Sequence, residues 1–257
     1  MCNVSYNFYA TLLDSFQNYI DSDVNWEKFW GGSADPKLSI AEYTEQCKQE
    51  LIDRINRVPF DSEAADRGSA FNEIVDCLIE HRKPKDMEVV KVYNENNAVI
   101  ALKALYKERE FTFPIEMCRD MADSYKGAIP QYFCEGILPT KYGNVKLYGF
   151  IDELMPDSIH DIKTTSKYEA FKFRKHWQHI VYPYCLMCMG SDVTTFNYDV
   201  VVLNKDPFNY DFFRESHCFI PHLHIPRLTE HCERLIEFLL VNKDLITDKR
   251  IFNQHGE

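Results

Sequence analysis

Apolar positions recur at helical spacing near the start of the chain and at a spacing of two in its middle. Over residues 11–19, Leu12, Leu13, Phe16 and Tyr19 fall on one side, which predicts an amphipathic helix. Ser39 stands three residues before Glu42, a capping-box signature that opens a second helix over 39–55. Gly31, Gly32, Ser33 and Pro36 predict the loop between them, so the first sixty residues read as helical. Phe71, Ile74, Val75, Leu78 and Ile79 form the stripe of a third helix over 67–81, and Pro84 ends it. A short strand at 89–93 and a helix at 98–108 follow.

The period then changes. Residues 131–138, 144–154 and 158–163 read as strands, separated by turn chemistry at Lys141, Tyr142, Gly143 and Asn144 and at Met155, Pro156, Asp157 and Ser158. Residues 168–189 read as one long helix with a bend at Pro183. The run Val200, Val201, Val202, Leu203 marks the strand 196–203 as central to a sheet. A closing helix spans 226–241. The order predicts an α/β fold, a central mixed sheet flanked by helices with an N-terminal helical extension, and no domain boundary.

Composition narrows the function. The formal net charge of −11 argues against a protein coated for polyanions, yet residues 163–179 carry Lys163, Lys167, Lys172, Arg174 and Lys175 against one acid, Glu169. Such a tract reads as a solvated helix face or as a local phosphate-binding patch. The aromatic content of 14% leaves room for base stacking beside core filling. Nine scattered cysteines, no long apolar run and no basic leader followed by an apolar stretch set the expectation of a cytoplasmic protein with reduced thiols and no membrane partner.

The chemistry concentrates between residues 149 and 165. Gly149, Phe150, Ile151 and Asp152 end one predicted strand, and Asp161, Ile162 and Lys163 end its antiparallel neighbour after a tight turn. This connection brings Asp152 and Asp161 to one end of the sheet, and Lys163, two residues on, shares a face with Asp161. Two carboxylates and an ammonium suit a hard divalent cation, Mg²⁺ or Mn²⁺, which needs few protein ligands. A bare Asp-x-Lys is common, and a hairpin with a surface salt bridge is its alternative reading.

With their neighbours these residues resemble the PD-(D/E)XK nuclease superfamily, particularly its RecB-like and phage exonuclease branches. The matching pieces are Gly149-Phe150-Ile151-Asp152, Asp161-Ile162-Lys163-Thr164-Thr165, the Q-x-x-x-Y element Gln178 to Tyr182, and Arg67-Gly68-Ser69-Ala70-Phe71-Asn72 as the opening of a first motif. The resemblance covers about 67–203. It implies a restriction-endonuclease-like core over 66–242, a helical extension over 1–60 and a single nuclease domain over 1–257. It further implies that Asp152, Asp161 and the carbonyl of Ile162 bind the metal and that Lys163 activates water. Gln178 and Tyr182 would border the site, beside Lys167, Lys172, Arg174 and Lys175 as contacts to nucleic acid. The activity implied is a metal-dependent deoxyribonuclease, an exonuclease of phage or bacterial recombination or repair, with DNA and a recombination protein as partners. The alternative is an inactive nuclease fold that binds nucleic acid or protein. The sequence departs from the pattern at Asn72, where the branch has histidine, and at Asp76, where it has glutamate. Glu73 is next door, and the choice of first-motif carboxylate stays open between Glu73 and Asp76.

Other groupings are weaker. Cys185 and Cys188 follow the Q-x-x-x-Y element without further cysteines at suitable spacing, so no iron–sulfur cluster is expected. His217, Cys218, His222, His224, His231 and Cys232 match no familiar zinc spacing. Glu135 is open between a metal-site role and a lysine partner. No phosphate-binding G-x-x-x-x-G-K-[ST] loop occurs.

Overall fold

Val200 and Val202 belong to one apolar core, while Val201 and Leu203 of the same strand belong to another. Side chains alternate across a strand, so this strand is covered on both faces and the molecule has three layers. The computed structural model describes residues 4–253; the ends of the expected domain, 1–3 and 254–257, lie outside the described residues. The chain opens with β1 (Val4–Tyr9), α1 (Ala10–Ile20), α2 (Ser22–Trp30), α3 (Ile40–Ile55) and α4 (Glu63–Ile79). Next come β2 (Glu88–Tyr93), β3 (Val99–Tyr106), β4 (Arg109–Pro114) and α5 (Ile115–Ser124). Then follow β5 (Ile129–Thr140), β6 (Gly143–Leu154), β7 (Ser158–Thr165), α6 (Gln178–Cys188), β8 (Thr195–Leu203), β9 (Tyr210–Cys218) and α7 (Pro221–Val241).

The central sheet has six strands in the order β1-β6-β7-β8-β9, with β5 on the other edge of β6. It is mixed: β1–β6 and β7–β8 run parallel, the other pairs antiparallel. One face is covered by α1, α3, α6 and α7, through residues such as Leu12, Leu51, Ile180 and Leu235. The other is covered over β7 and β8 by α4, α5 and a separate antiparallel sheet β2-β3-β4, through Phe71, Phe113 and Met117. Ser39 does cap α3: its hydroxyl accepts from the Glu42 amide at 3.3 Å, and the Glu42 carboxylate accepts from the Ser39 amide at 2.8 Å.

Several expectations need correction. The first sixty residues are not all helical, because Val4–Tyr9 forms β1; Val4, Tyr6 and Phe8 alternate with Ser5 and Asn7. Residues 98–108 are not a helix but β3 and the turn into β4. Ala101, Leu102, Ala104 and Leu105 have helical propensity, but Leu102 and Ala104 alternate into the second core. The turn is Lys107-Glu108, both at positive φ (46° and 65°), a hairpin geometry that normally announces itself through Asn-Gly or Asp-Gly. The helix expected over 168–189 is only Gln178–Cys188; turns fill the stretch before it, where Phe171 takes a φ of 62°. The strand β9 and helix α5 carry no sequence expectation at all.

Phe71 is fully buried and packs against Phe113 with ring centroids 5.4 Å apart, tying α4 to the small sheet. Phe71→Ala should therefore cost about 3–5 kcal/mol, read as a lowered midpoint in denaturant unfolding. An unchanged midpoint would mean that α4 is not held by this core.

Candidate active site

β6 and β7 are hydrogen-bonded over two residue pairs only, Glu153 with His160 and Leu154 with Ile159. One step further, where Asp152 would meet Asp161, the strands part. The backbone amide of Ile162, freed from the ladder, donates instead to Asp152 Oδ2 at 2.9 Å. A buried amide requires an acceptor, and here a side-chain carboxylate supplies it. β1 pairs with the same edge of β6 but stops at Tyr148. The edge of β6 from Gly149 to Asp152 is thus a notch between β1 and β7.

A backbone irregularity turns two neighbouring acids toward one place. Pro130 pairs with Glu153 and Tyr132 with Ile151, so Gln131 lies opposite Asp152, and Gln131 takes a φ of 50°. Strict alternation would put residues 151 and 153 on one face. Instead Ile151 enters the first core, while Glu153, fully buried, turns toward Asp76 of α4, whose charge acts on it. Irregularities of this kind re-aim side chains beside functional sites. Gln131 lines the same cavity as Asp76. Glu153 and Gln131 escaped the sequence reading because period two assigns Glu153 to the face away from Asp152.

The first-motif residues separate clearly. Asn72 donates its amide to Asp152 Oδ2 at 3.3 Å, and its own Oδ1 is buried with no partner. Asp76 is buried with Oδ1 likewise without a partner. Glu73 is held by Arg82, at 2.5 and 3.0 Å, and by the Lys85 amide at 3.0 Å. Asn72, Glu73, Asp76, Gln131 and Asp152 line one cavity of about 390 Å³. Gly68 brings α4 against β7: a Cβ there would sit 3.0 Å from Thr164 Oγ1.

On the α6 side, Asp161 Oδ2 lies 2.7 Å from the Lys163 ammonium, whose Nζ donates to Gln178 Oε1 at 2.8 Å. Gln178 closes the triangle by donating Nε2 to Asp161 Oδ1. α6 starts here because Asp14 of α1 accepts the Trp177 amide at 2.6 Å. Tyr182, one turn on from Gln178, lies against Gly149, where a Cβ would sit 2.6 Å from the tyrosine Cε1. The site therefore joins Asp152, Asp161, Lys163, Gln178 and Tyr182, with Asn72 and Asp76 across the parted strands. Ile162 contributes only backbone, since its side chain is buried in the second core.

The charges do not balance. Burial and then the charge of Asp161 push the Asp152 carboxyl up to about 7. Burial pushes Asp76 up to about 6, although Glu153 and Arg82 act the other way. Burial and then the Asp76 charge push Glu153 up to about 9. Both Glu153 oxygens are buried without a hydrogen-bond partner, which favours the uncharged acid. Burial works against the Lys163 ammonium, but Asp161 and Asp152 outweigh it and hold the group above its ordinary range. Burial, then Asp161, keeps the Tyr182 hydroxyl protonated.

The donors fit a hard divalent cation in type: carboxylate oxygens of Asp152, Asp161 and Asp76, the Asn72 amide oxygen and the backbone at Ile162. The unpartnered Asn72 Oδ1 and Asp76 Oδ1 fit a site with room for one more electropositive partner. Among the described residues, no group of three or more His, Cys, Asp or Glu side chains is arranged as a ready metal site.

The basic tract lies apart from the carboxylates. Lys167, Lys172, Arg174 and Lys175 line a cleft of about 740 Å³ with Lys28, opposite Asp14 and Asp21. Lys167 pairs with Glu169 at 2.8 Å and Lys175 with Asp21 at 2.7 Å, while Lys172 donates to Thr165 Oγ1 at 2.8 Å. Glu135 pairs with Lys146 at 2.5 Å, away from the site. Cys185 is buried and Cys188 exposed. Gly136 of β5 lies under this turn of α6, and a Cβ there would sit 3.0 Å from Cys188 Sγ.

No family model matches the chain, and no curated protein matches it. A solved structure described as the crystal structure of SSO0001 aligns with 93% of this chain and 79% of its own, at 11% identity and a TM-score of 0.47, a likeness too slight to carry an argument. No helix among the described residues is long and apolar enough to cross a membrane.

The raised carboxyls make a pH prediction. A group whose pKa is higher folded than unfolded binds its proton more tightly in the native state, so its stabilising effect is present at low pH and lost as pH rises through the folded value. For Glu153 that window runs from the ordinary carboxylate range to about 9. Glu153→Gln, which keeps the neutral shape, should raise Tm at pH 8 and leave it nearly unchanged at pH 5. Equal Tm for the two proteins at pH 8 would show that Glu153 is not held in the acid form.

Proposed function

We propose that the chain is a PD-(D/E)XK-type nuclease that hydrolyses DNA phosphodiester bonds with Mg²⁺ or Mn²⁺, an exonuclease suited to phage or bacterial recombination or repair. One observation carries the reading. Asp152 adjoins Asp161 where β6 and β7 part and lines one cavity with Asp76, and Lys163 is the cation between Asp161 and Gln178. Such an excess of buried acid is costly for stability alone and is relieved by a divalent cation.

Asp152, Asp161, Asp76, Asn72 and the Ile162 backbone would hold the ion. When bound, it supplies hydroxide near neutral pH and offsets the charge of a phosphate. The chain's own residues do the rest. Gln178 grips Asp161 with its amide nitrogen and Lys163 with its oxygen, fixing the spacing of ligand and cation. Lys163, as an ammonium, would stabilise charge developing on the phosphate and orient water. Tyr182 stays neutral and offers a hydroxyl donor at the notch beside Gly149. Lys167, Lys172, Arg174 and Lys175 would contact the polynucleotide backbone, which positions phosphates and reads no bases.

In an assay on end-labelled linear DNA with Mg²⁺ or Mn²⁺, Asp161→Asn should abolish cleavage while the protein stays folded. Lys163→Ala should slow cleavage by about 10²–10³-fold and leave metal affinity within a few-fold. Discrete products from a covalently closed circle would replace the exonuclease with an endonuclease. No cleavage by the parent protein with either metal would leave an inactive nuclease fold that binds nucleic acid or protein.

A further inference from the structure

The sheet face opposite α6 is covered over β7 and β8 but bare over β5 and β6. Lys146, Tyr148 and Phe150 of β6 alternate with Val145, Leu147 and Ile151, which enter the first core, so the former set faces the other way. On β5, Phe133 alternates in the same manner with the buried Cys134. Phe133 and Phe150 are direct partners in the register, with ring centroids 5.2 Å apart, and they are 41% and 55% exposed. Two phenylalanine rings in contact on solvent, tilted by 56° to one another, do nothing for the core that the smaller exposed residues of an ordinary sheet face would not do.

Their surroundings are basic and polar. Arg57 donates to the Tyr148 hydroxyl at 3.0 Å and lies 5.9 Å from the centre of the Tyr9 ring. Arg57, Lys146, Tyr148, Phe133 and Arg250 line one hollow of about 450 Å³. Asp248 pairs with Arg57 and Arg250, and Glu135 with Lys146, so this face carries three cations to two acids on a chain whose formal charge is −11. A second hollow of about 370 Å³ shares Arg57 and Tyr148 and continues past Gly149 and Phe150 to Tyr182. The aromatic face and the notch at the parted strands are therefore one continuous surface.

We infer that the face formed by Phe133, Tyr148 and Phe150, with Arg57, Lys146 and Arg250 around it, is a stacking platform for the unpaired bases of a single-stranded polynucleotide, whose backbone turns through the notch at Gly149 toward Asp152. Aromatic rings stack on any base, but only when the base is out of a duplex, and neighbouring cations follow the backbone. A protein-binding patch is less well matched, because the centres of such patches are depleted in lysine and this one has Lys146 beside its aromatics. The inference rests on the nuclease reading for the direction of the strand, not for the binding itself, and it makes a single-stranded or frayed end the substrate.

The test is binding by the full chain in the presence of a metal chelator, so that cleavage plays no part. The probes are a fluorescein-labelled oligothymidylate and a blunt duplex carrying the same label, read by anisotropy. The double variant Phe133→Ala, Phe150→Ala should lose about 10-fold or more in affinity for the oligothymidylate. It should keep the parent's affinity for the duplex and the parent's Tm, and Phe150→Trp on its own should preserve single-strand binding. Equal affinity of parent and double variant for the oligothymidylate would overturn the platform, as would an equal loss for both probes. So would a parent that does not bind the oligothymidylate, or a double variant whose only change is dissociation of a dimer in sedimentation, which would make the face a protein interface. If the phenylalanines govern single-strand binding but the parent cuts no DNA with Mg²⁺ or Mn²⁺, the platform stands and the nuclease reading falls.

Discussion

The parting of β6 and β7 after only two residue pairs is the constraint on which the rest of the site depends. A ladder that ends in the interior leaves an amide with no strand partner, and burying it unpaired would cost roughly 1–3 kcal/mol. Asp152 meets that need by accepting from Ile162 at 2.9 Å, which in turn fixes the Asp152 carboxylate at the mouth of the gap. The gap exists because β1 occupies the first part of the same β6 edge and β8 draws β7 away in a parallel pairing eight residues long. Sheet topology thus creates an opening in a central sheet, and one side chain both lines it and keeps its backbone satisfied.

Electrostatics follow from the same opening. Asp161 comes with β7, and Asp76 and Asn72 come with α4, which Gly68 lets approach Thr164 closely. Glu153 is added by the irregularity at Gln131. Lys163 and Gln178 tie up Asp161, and Asn72 and the Ile162 amide tie up Asp152, but the buried oxygens of Asp76 and Asn72 keep unpartnered atoms. Removing the lysine alone would leave the carboxylates without their near cation, whereas supplying a divalent cation would offset two of them.

Much of this architecture was legible in the sequence, for reasons that can be named. The strands β5, β6, β7 and β8 show period two or a continuous apolar run, and the capping box at Ser39 locates α3. The short turn at Met155-Pro156-Asp157-Ser158 is enough to place Asp152 and Asp161 at one end of adjacent strands. What was not legible depends on tertiary context. Lys107-Glu108 make a hairpin turn with non-glycine residues at positive φ, so β3 and this turn look like a helix from composition. The basic residues from Lys167 to Lys175 have helical spacing but lie in turns broken at Phe171. Glu153 and Gln131 join the site only through a local break in alternation, and Asp14 through a contact 163 residues away in sequence. The aromatic surplus could not be divided between core and surface until the bare face over β5 and β6 was located.

The central claim is that the parted strands hold a divalent cation, and the most direct measurement is anomalous scattering from crystals grown with Mn²⁺. A single strong peak is expected between Asp152 and Asp161, within coordination distance of both carboxylates and bordered by Asn72 and Asp76 rather than by Glu73. Lys163 should by then have moved off Asp161 Oδ2 while keeping its bond to Gln178. A peak elsewhere, or none at saturating Mn²⁺ with the Lys163–Asp161 pair still closed, would contradict the account.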